Sequence, residues 1–309
     1  MLLRDQRGQG TVEWVGLVAL VGLLFAGLVA VGVRVPGVDL ARLVAARILC
    51  AASLADGCGD EPVLIAAYGE EVGKLVREHM PMLAFERGSR ALPVDFRRCR
   101  RSGCADGSRR GLVHRSDDHL PVTAFVHVVD CRESEAAATE AQGANCSGSR
   151  AGNLYVQFWT YYADSATLRG VPVAAALGYH RDDWESVQIR IGADGRVDER
   201  ASSHEGYNYA ASIRNWGSDA GVDPLRNLAE ALGARPENGW GPETGLLLVS
   251  GGSHAGNAIG FPDVDRFTPG RRVHLIPLEP IAAGSSARFA VVPPWRKEVW
   301  RDPEAGGTG

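Results

Sequence analysis

The chain has 309 residues, of which 45% are hydrophobic and 23% are charged, and its formal net charge at pH 7 is −4. This length accommodates one large globular domain of ordinary composition together with an attached segment. The mild negative charge excludes the strongly basic surface that is typical of nucleic-acid-binding proteins. We therefore expect no nucleic-acid partner.

An uncharged apolar run extends from Val15 to Val33, and Arg4 and Arg7 precede it. A helix of about 20 apolar residues crosses a bilayer, and the basic residues favour a cytoplasmic N-terminus. The sequence thus predicts a single-pass cell-membrane protein whose C-terminal domain lies outside. The predicted regions are an anchor over 1–35, a helical neck over 36–80, a β domain over 81–305 and a tail over 306–309.

The segment before the apolar run, Gly8-Gln9-Gly10-Thr11-Val12-Glu13-Trp14, resembles the processing site of type IV pilin-like (Flp-type) precursors. In that family a peptidase cuts after a Gly, and a Glu lies five residues further on, as Glu13 does after Gly8. Trp14 stands where the family usually has Tyr. The resemblance implies a prepilin-type peptidase as a partner and release or assembly after processing. A plain membrane anchor is the alternative.

The neck contains two predicted helices. Asp39 caps the first, which runs to about Leu54, and the second begins at Glu61-Pro62 and runs to about His79. An acidic residue and a proline both suit the first turn of a helix. We therefore expect a helical hairpin between the anchor and the β domain.

Six cysteines occur in close pairs along the chain, and in an exported protein such pairs form disulfides. A zinc site is the weaker alternative, because no Cys-x-x-Cys spacing occurs. The sequence alone does not fix the connectivity. The pairing of nearest neighbours is Cys50–Cys58, Cys99–Cys104 and Cys131–Cys146.

After Pro81 the sequence consists of short β-rich runs separated by Gly, Pro, Asn and Asp. This pattern predicts a mainly β, sandwich-like domain with few helices. One helix is predicted from Pro224 to Leu232, and a hairpin turn is predicted at Gly192–Gly195. The predicted strands are Thr123–Val129, Leu154–Tyr162, Val187–Ile191, Leu246–Ser250, Val273–Leu278 and Ala287–Val292.

The stretch from Gly178 to Glu185 contains one imidazole, three carboxylates and a Trp, and an alternating strand pattern follows it. Residues two apart in a strand share a face, so Asp183 and Glu185 lie together, next to the apolar face. Buried carboxylates need a cation, a basic partner or protons. Oxygen ligands with the single imidazole of His180 favour Mg²⁺, Ca²⁺ or Mn²⁺ over structural zinc. An ionic cluster at a solvated strand end is the alternative.

The sequence Gly-Tyr-His-Arg-Asp-Asp-Trp-Glu at 178–185 resembles the Gly-His-Arg-His-Asp-Trp-Glu signature of the necrosis- and ethylene-inducing-like (Nep-like) toxins. It also resembles the His-x-Gly-Asp-Trp-Glu motif of related vacuolar-sorting-associated proteins. The similarity covers roughly residues 80 to 295. Weaker matches occur in the same order at 91–95, 158–164, 203–206 and 252–255.

In the Nep-like family an Asp before the signature binds a divalent cation together with the first His, the Asp and the Glu of the signature. The resemblance implies Mg²⁺ or Ca²⁺ held by four ligands, which are Asp164, His180, Asp183 and Glu185. It further implies that three residues line the same pocket, namely Asp182, His204 and His254. Asp182 replaces the second His of the signature, and Tyr179 replaces its leading Gly.

Three functions remain open from the sequence. The favoured one is a surface-displayed module that binds a lipid or glycan ligand through a divalent cation. A metal-assisted hydrolase that uses His180, Asp183 and Glu185 is the enzymatic alternative. A minor pilin-like structural subunit is the third. A serine hydrolase is disfavoured, because no helix is predicted after Gly251–Ala255, as a nucleophile elbow would require.

Overall fold

The computed structural model describes residues 60–89, 91–98, 121–166, 179–203, 206–209, 239–259, 264–280 and 289–306. The chain divides into two compact units, Met1–Gly73 and Lys74–Gly309. The described residues are mainly β, with two mixed sheets and few helices. None of the helices within these ranges is both long enough and apolar enough to span a membrane.

Several sequence predictions lie outside the described ranges. These are the apolar anchor, the processing residues Gly8 and Glu13, the first neck helix, the helix at Pro224–Leu232, His204, and the four cysteines Cys50, Cys58, Cys99 and Cys104.

The predicted helix from Glu61 to about His79 forms as two helices, α1 at Glu61–Tyr68 and α2 at Glu70–Glu78. Its predicted start is confirmed, with proline in the first turn. The expectation of one continuous helix is wrong, because Gly69 between the two has a φ of 83°. That left-handed conformation ends a helix, and glycine adopts it without strain. A short helix, α3, follows at Ala136–Ala141.

Eleven strands occur in the described part of the chain. They are β1 Met82–Glu86, β2 Thr123–Asp130, β3 Leu154–Ala166, β4 Tyr179–Ile191, β5 Val197–Ser203, β6 Gly206–Asn208, β7 Gly241–Pro242, β8 Leu246–Val249, β9 Gly256–Asn257, β10 Val264–Thr268 and β11 His274–Pro277.

The larger sheet has the order β11-β2-β3-β4-β5-β6, and β7 also pairs with β5. Its strands run antiparallel to their neighbours except for β11, which is parallel to β2. The smaller sheet has the order β10-β1-β8-β9, and β1 pairs parallel with β8. The central strand β3 is buried along all 13 of its residues, which explains its aromatic and apolar sequence.

Five of the six predicted strands form, and the predicted turn at Gly192–Gly195 joins β4 to β5 as an antiparallel hairpin. The prediction that β4 begins at Val187 is wrong, because the strand begins at Tyr179. The cause is the long ladder with β3, which pairs Ala166 with Tyr179. The charged residues of the motif therefore lie within the strand rather than in a loop before it.

The predicted strand at Ala287–Val292 does not form in its described part, because residues 289–292 adopt no strand conformation. Pro293 and Pro294 follow directly. Proline has no N–H to donate to a neighbouring strand, so it disfavours a paired strand here.

The predicted disulfide between Cys131 and Cys146 is confirmed. Both cysteines are buried in a small apolar cluster with Tyr155 and Trp240. A larger aromatic cluster packs around Trp184 of β4, with Phe96 and Phe125 at ring-centroid distances of 5.3 Å and 5.8 Å. This second cluster covers one face of β4 and leaves the other face for the carboxylates.

Candidate functional site

The pairing of β3 with β4 decides which side chains of the motif share a face. Asp183 lies opposite Tyr162, Glu185 lies opposite Thr160, and His180 lies opposite Ser165. Directly opposite residues of an antiparallel pair project from the same face, and successive residues alternate. Asp183 and Glu185 therefore share one face, as the sequence predicts.

Asp183 is held by a histidine from the smaller sheet. His254 lies in the connection between β8 and β9, and its Nδ1 is 2.8 Å from Asp183 Oδ2. The imidazole stacks on Tyr162 with a ring-centroid distance of 3.9 Å and an interplanar angle of 5°. Its backbone has a φ of 58°, which is uncommon for a residue with a side chain. Both packing and backbone thus fix this ring against the carboxylate.

The second nitrogen of His254 is buried, and it has no hydrogen-bond partner in the part of the chain that the structure describes. A buried polar atom without a partner is uncommon in folded proteins and is frequent at functional sites.

Glu185 is held by a serine from the neighbouring strand, because Ser202 Oγ of β5 donates a hydrogen bond to Glu185 Oε2. Burial raises the pKa of Glu185 to about 8, and the negative charge of Asp183 adds to the rise. The hydrogen bond from Ser202 and the positive charge of Lys297 act on this pKa in the opposite direction. Burial also lowers the pKa of the Lys297 ammonium, against the charges of Glu185 and Asp183.

Each carboxylate keeps one oxygen for a ligand. Among the described residues, no hydrogen bond reaches Asp183 Oδ1 or Glu185 Oε1. The Asp183 side chain is 9% exposed, and Glu185 is partly exposed. The two carboxyl groups therefore lie side by side, one nearly buried and one partly exposed, and one oxygen of each has no hydrogen-bond partner among the described residues.

The other predicted ligands have different surroundings. His180 Nδ1 lies 2.8 Å from the carbonyl oxygen of Asp182. The Asp182 carboxylate accepts hydrogen bonds from Tyr161 Oη at 2.6 Å and from the amide of Ala290 at 2.7 Å. The φ of 60° at Asp182 interrupts the regular alternation between His180 and Asp183, so the predicted ligand role of His180 and the predicted pocket role of Asp182 stay predictions.

Asp164 is buried on the same face as the carboxylate pair, and it lies opposite Arg181 in the strand pairing. It accepts a hydrogen bond from Tyr179 Oη at 3.1 Å. Within the described ranges, no group of three or more His, Cys, Asp or Glu side chains is arranged to hold a metal ion. The four-residue ligand set therefore stays a prediction.

Sequence reasoning missed two residues of the site, Ser202 and Lys297. Ser202 carries no signal, because serine is common in strands and turns. Lys297 had one: it is one of only two lysines, with Lys74, among 33 basic residues. Because a lysine ammonium is compact and changes its pKa readily on burial, a rare lysine in an arginine-rich chain is a candidate for an electrostatic role in a site.

No protein-family model and no curated protein sequence matches the chain. Among solved structures, the chain is similar to NLPPya in complex with glucosamine, with 14% identity over 66% of this chain and 72% of that chain, and a TM-score of 0.31. It is also similar to NLPPya in complex with mannosamine, with 18% identity, a TM-score of 0.25, and coverage of 44% of this chain and 51% of that chain. These similarities are too weak to assign roles to the site residues, which are therefore inferred from the geometry of the site.

Proposed function

We propose that this protein is a membrane-anchored, extracytoplasmic module whose β domain binds a divalent cation at Asp183 and Glu185. Through that cation it binds a lipid or glycan ligand at a membrane or cell surface. The observation that carries the proposal is the adjacent carboxyl pair, in which one oxygen of each member has no hydrogen-bond partner among the described residues.

The donor set fits a hard cation. Two ionised carboxylates away from water are unfavourable unless positive charge compensates them. Lys297 supplies one positive charge near them, and a bound cation would supply the rest when both carboxyl groups are ionised. Mg²⁺ is commonly held by one or two carboxylates with water in its other positions. Two carboxylate oxygens are therefore a sufficient protein contribution, and no third ligand is needed.

The apolar run and the disulfide both support an extracytoplasmic location of the β domain. The apolar run Val15–Val33 would hold the chain in the membrane with the β domain outside. Disulfides such as Cys131–Cys146 persist in oxidising compartments. We further propose that the two sheets face one another as a Nep-like sandwich, since Gly256 of β9 closely approaches Ala201 of β5.

The test is thermal unfolding of the purified full chain with and without MgCl₂. A cation at about 100 times its dissociation constant should stabilise the fold by roughly 2.7 kcal/mol, which raises the melting temperature by several degrees. Asp183→Asn should abolish the shift, whereas Glu133→Gln, at an exposed carboxylate, should retain it. Identical melting curves of wild type in MgCl₂, in CaCl₂ and in chelator would refute the cation site.

One observation favours a hydrolase as a second candidate. The Asp183–His254 couple orients an imidazole as a general base requires, with Nε2 unpartnered in the described chain. Turnover of generic phosphoesters or glycosides that is lost in His254→Gln, with cation binding retained, would support hydrolysis. Absence of turnover in wild type loaded with Mg²⁺ would leave the binding function alone.

A further inference from the structure

Three consecutive residues in the loop between β7 and β8 each bind a different element, and we call this loop, Glu243–Gly245, the clasp. Glu243 Oε1 lies 2.8 Å from Nδ1 of His79, the residue after α2. The carbonyl oxygen of Gly245 accepts the N–H of Met82, the first residue of β1, at 2.8 Å. The clasp therefore holds the segment of the chain that leads into β1.

The middle residue of the clasp binds β5. Thr244 donates to Glu199 Oε2 through its amide at 2.9 Å and through its hydroxyl at 3.1 Å. Glu199 is fully buried, and its Oε1 has no hydrogen-bond partner within the described ranges. Because both donors reach the same oxygen, a proton on Oε1 leaves the two hydrogen bonds intact, whereas loss of that proton leaves a charge in a buried position.

Glu243 connects the two attachments electrostatically. Its negative charge favours the protonated imidazole of His79 and also opposes the ionisation of Glu199. Glu78 and Tyr209 are further titratable groups that interact with His79 and Glu199, respectively. The clasp is thus most stable when both His79 and Glu199 carry their protons.

Both protons are lost as the pH rises. The hydrogen bond to Glu243 raises the pKa of His79 above 6.5, although burial acts against it. Burial raises the pKa of Glu199 from 4.5 to about 7, and Glu243 adds to the rise while the hydrogen bonds from Thr244 oppose it. A group whose pKa is raised by folding stabilises the fold below its ordinary pKa, and this stabilisation is lost as the pH rises through the folded value. Alkaline pH therefore weakens both attachments of the clasp.

We propose that Glu243–Gly245 is a pH-sensitive clasp, which fastens the segment leading into β1 to β5 in acidic solution and releases it in alkaline solution. Thr244 and Gly245 are exposed, so the loop can move away without opening the core. This release goes beyond the proposed function, because it requires neither a cation nor a ligand.

The experiment is hydrogen–deuterium exchange, measured by mass spectrometry on the purified full chain. Two amides report on the clasp: that of Met82, which donates to Gly245, and that of Glu243, which donates to the carbonyl oxygen of Val197 at 3.1 Å. Each exchange rate is divided by the rate of an unstructured chain at the same pH, because the intrinsic rate also rises with pH. The resulting protection factors measure local opening.

In wild type, the protection factors of these two amides should fall by at least about tenfold between about pH 6 and about pH 8.5. About a tenfold loss follows from the rise in the pKa of Glu199 from 4.5 to about 7, and the proton of His79 adds to it. Amides of the β3–β4 ladder should remain more strongly protected at both pH values, because they open only with the sheet.

Variants assign the loss to the two protons. Glu199→Gln keeps an acceptor for Thr244 without a charge, and it should remove the part of the loss that Glu199 contributes. His79→Gln keeps an N–H donor for Glu243 and should remove the rest, so the double variant should show no pH dependence. Glu133→Gln, at an exposed carboxylate, should behave as wild type.

Three results would overturn the clasp. The first is a wild type whose protection factors at Met82 and Glu243 are the same at both pH values, a measurement that requires no variant to fold. The second is equal protection of these amides and of the β3–β4 ladder, because the segment would then open only with the whole sheet. The third is an undiminished loss in the double variant, which would assign the pH dependence to other groups.

Discussion

The two ends of the β3–β4 hairpin both bury charge, but they treat it differently. At the end near the Gly192–Gly195 turn between β4 and β5, Glu304 accepts hydrogen bonds from Tyr155 Oη at 2.8 Å, from Trp240 Nε1 at 2.8 Å and from Arg190 at 3.0 Å. Arg200 donates there to Gln188 at 2.9 Å, among other acceptors. At the opposite end, Asp183 and Glu185 each have one hydrogen-bond donor among the described residues.

The difference distinguishes a structural cluster from a ligand site. The guanidinium of Arg200 lies 4.1 Å from the ring centroid of Tyr207 and 4.5 Å from that of Trp240. It also donates to the carbonyl oxygens of Pro303 and Ala305, so it fastens the C-terminal segment to the sheet. A charge cluster that is satisfied within the chain needs no ligand, whereas two carboxyl groups that each have an oxygen without a partner among the described residues can bind one.

The largest expected effect is at the satisfied end. Arg200→Met removes a fully buried cation and leaves the carbonyl oxygens of Pro303 and Ala305 without that donor. We expect a loss of about 3–5 kcal/mol in the free energy of unfolding, because breaking a buried polar network leaves unpaired groups. Urea denaturation measures it. The exposed Arg196→Met should cost less than about 1 kcal/mol, and equal losses in the two variants would contradict the structural role of Arg200.

The second-largest effect is expected at Glu199, which is fully buried on β5. Its Oε2 accepts hydrogen bonds from the amide and hydroxyl of Thr244, while its Oε1 has no hydrogen-bond partner among the described residues. Burial raises the pKa of Glu199 from 4.5 to about 7. The folded state therefore holds this proton more tightly than the unfolded state does.

Because the folded pKa is the higher one, the stabilisation that Glu199 provides is complete below pH 4.5 and is lost as the pH rises to about 7. Glu199→Gln should remove this pH dependence, which amounts to about 3 kcal/mol of unfolding free energy. Urea denaturation of both proteins between pH 4.5 and pH 8.5 measures the difference. Glu298→Gln, at an exposed carboxylate, should show the same pH dependence as wild type. If the unfolding free energies of wild type and Glu199→Gln depend on pH in the same way, the raised pKa of Glu199 is contradicted.

The smallest expected effect is at the open end, and its sign is opposite. At about pH 9, above the raised pKa of about 8, Glu185→Gln removes one of two neighbouring like charges, so without a cation the variant should be more stable than wild type by about 1 kcal/mol. In MgCl₂ the order should reverse, because only wild type gains from the cation. Thermal unfolding in chelator and in MgCl₂ checks both halves. A loss of stability in chelator would place Glu185 with the structural cluster instead.

Local patterns determined much of the fold. Alternation along β4 places Asp183 and Glu185 on one face, since the period of a strand is independent of what packs against it. Gly192–Gly195 forms the predicted turn, and the near neighbours Cys131 and Cys146 form the predicted disulfide. Each of these features depends on residues close in sequence, which is why the sequence alone predicts it.

Only the tertiary structure decided what those side chains contact. The bond between Asp183 and His254 joins residues 71 positions apart, and the one between Glu185 and Ser202 joins neighbouring strands. Strand periodicity contains no information about such partners, because they depend on how the sheets pack and on the pairing register. The sequence thus determined where the carboxylates lie, and the packing decided which of their oxygens stay open to a cation.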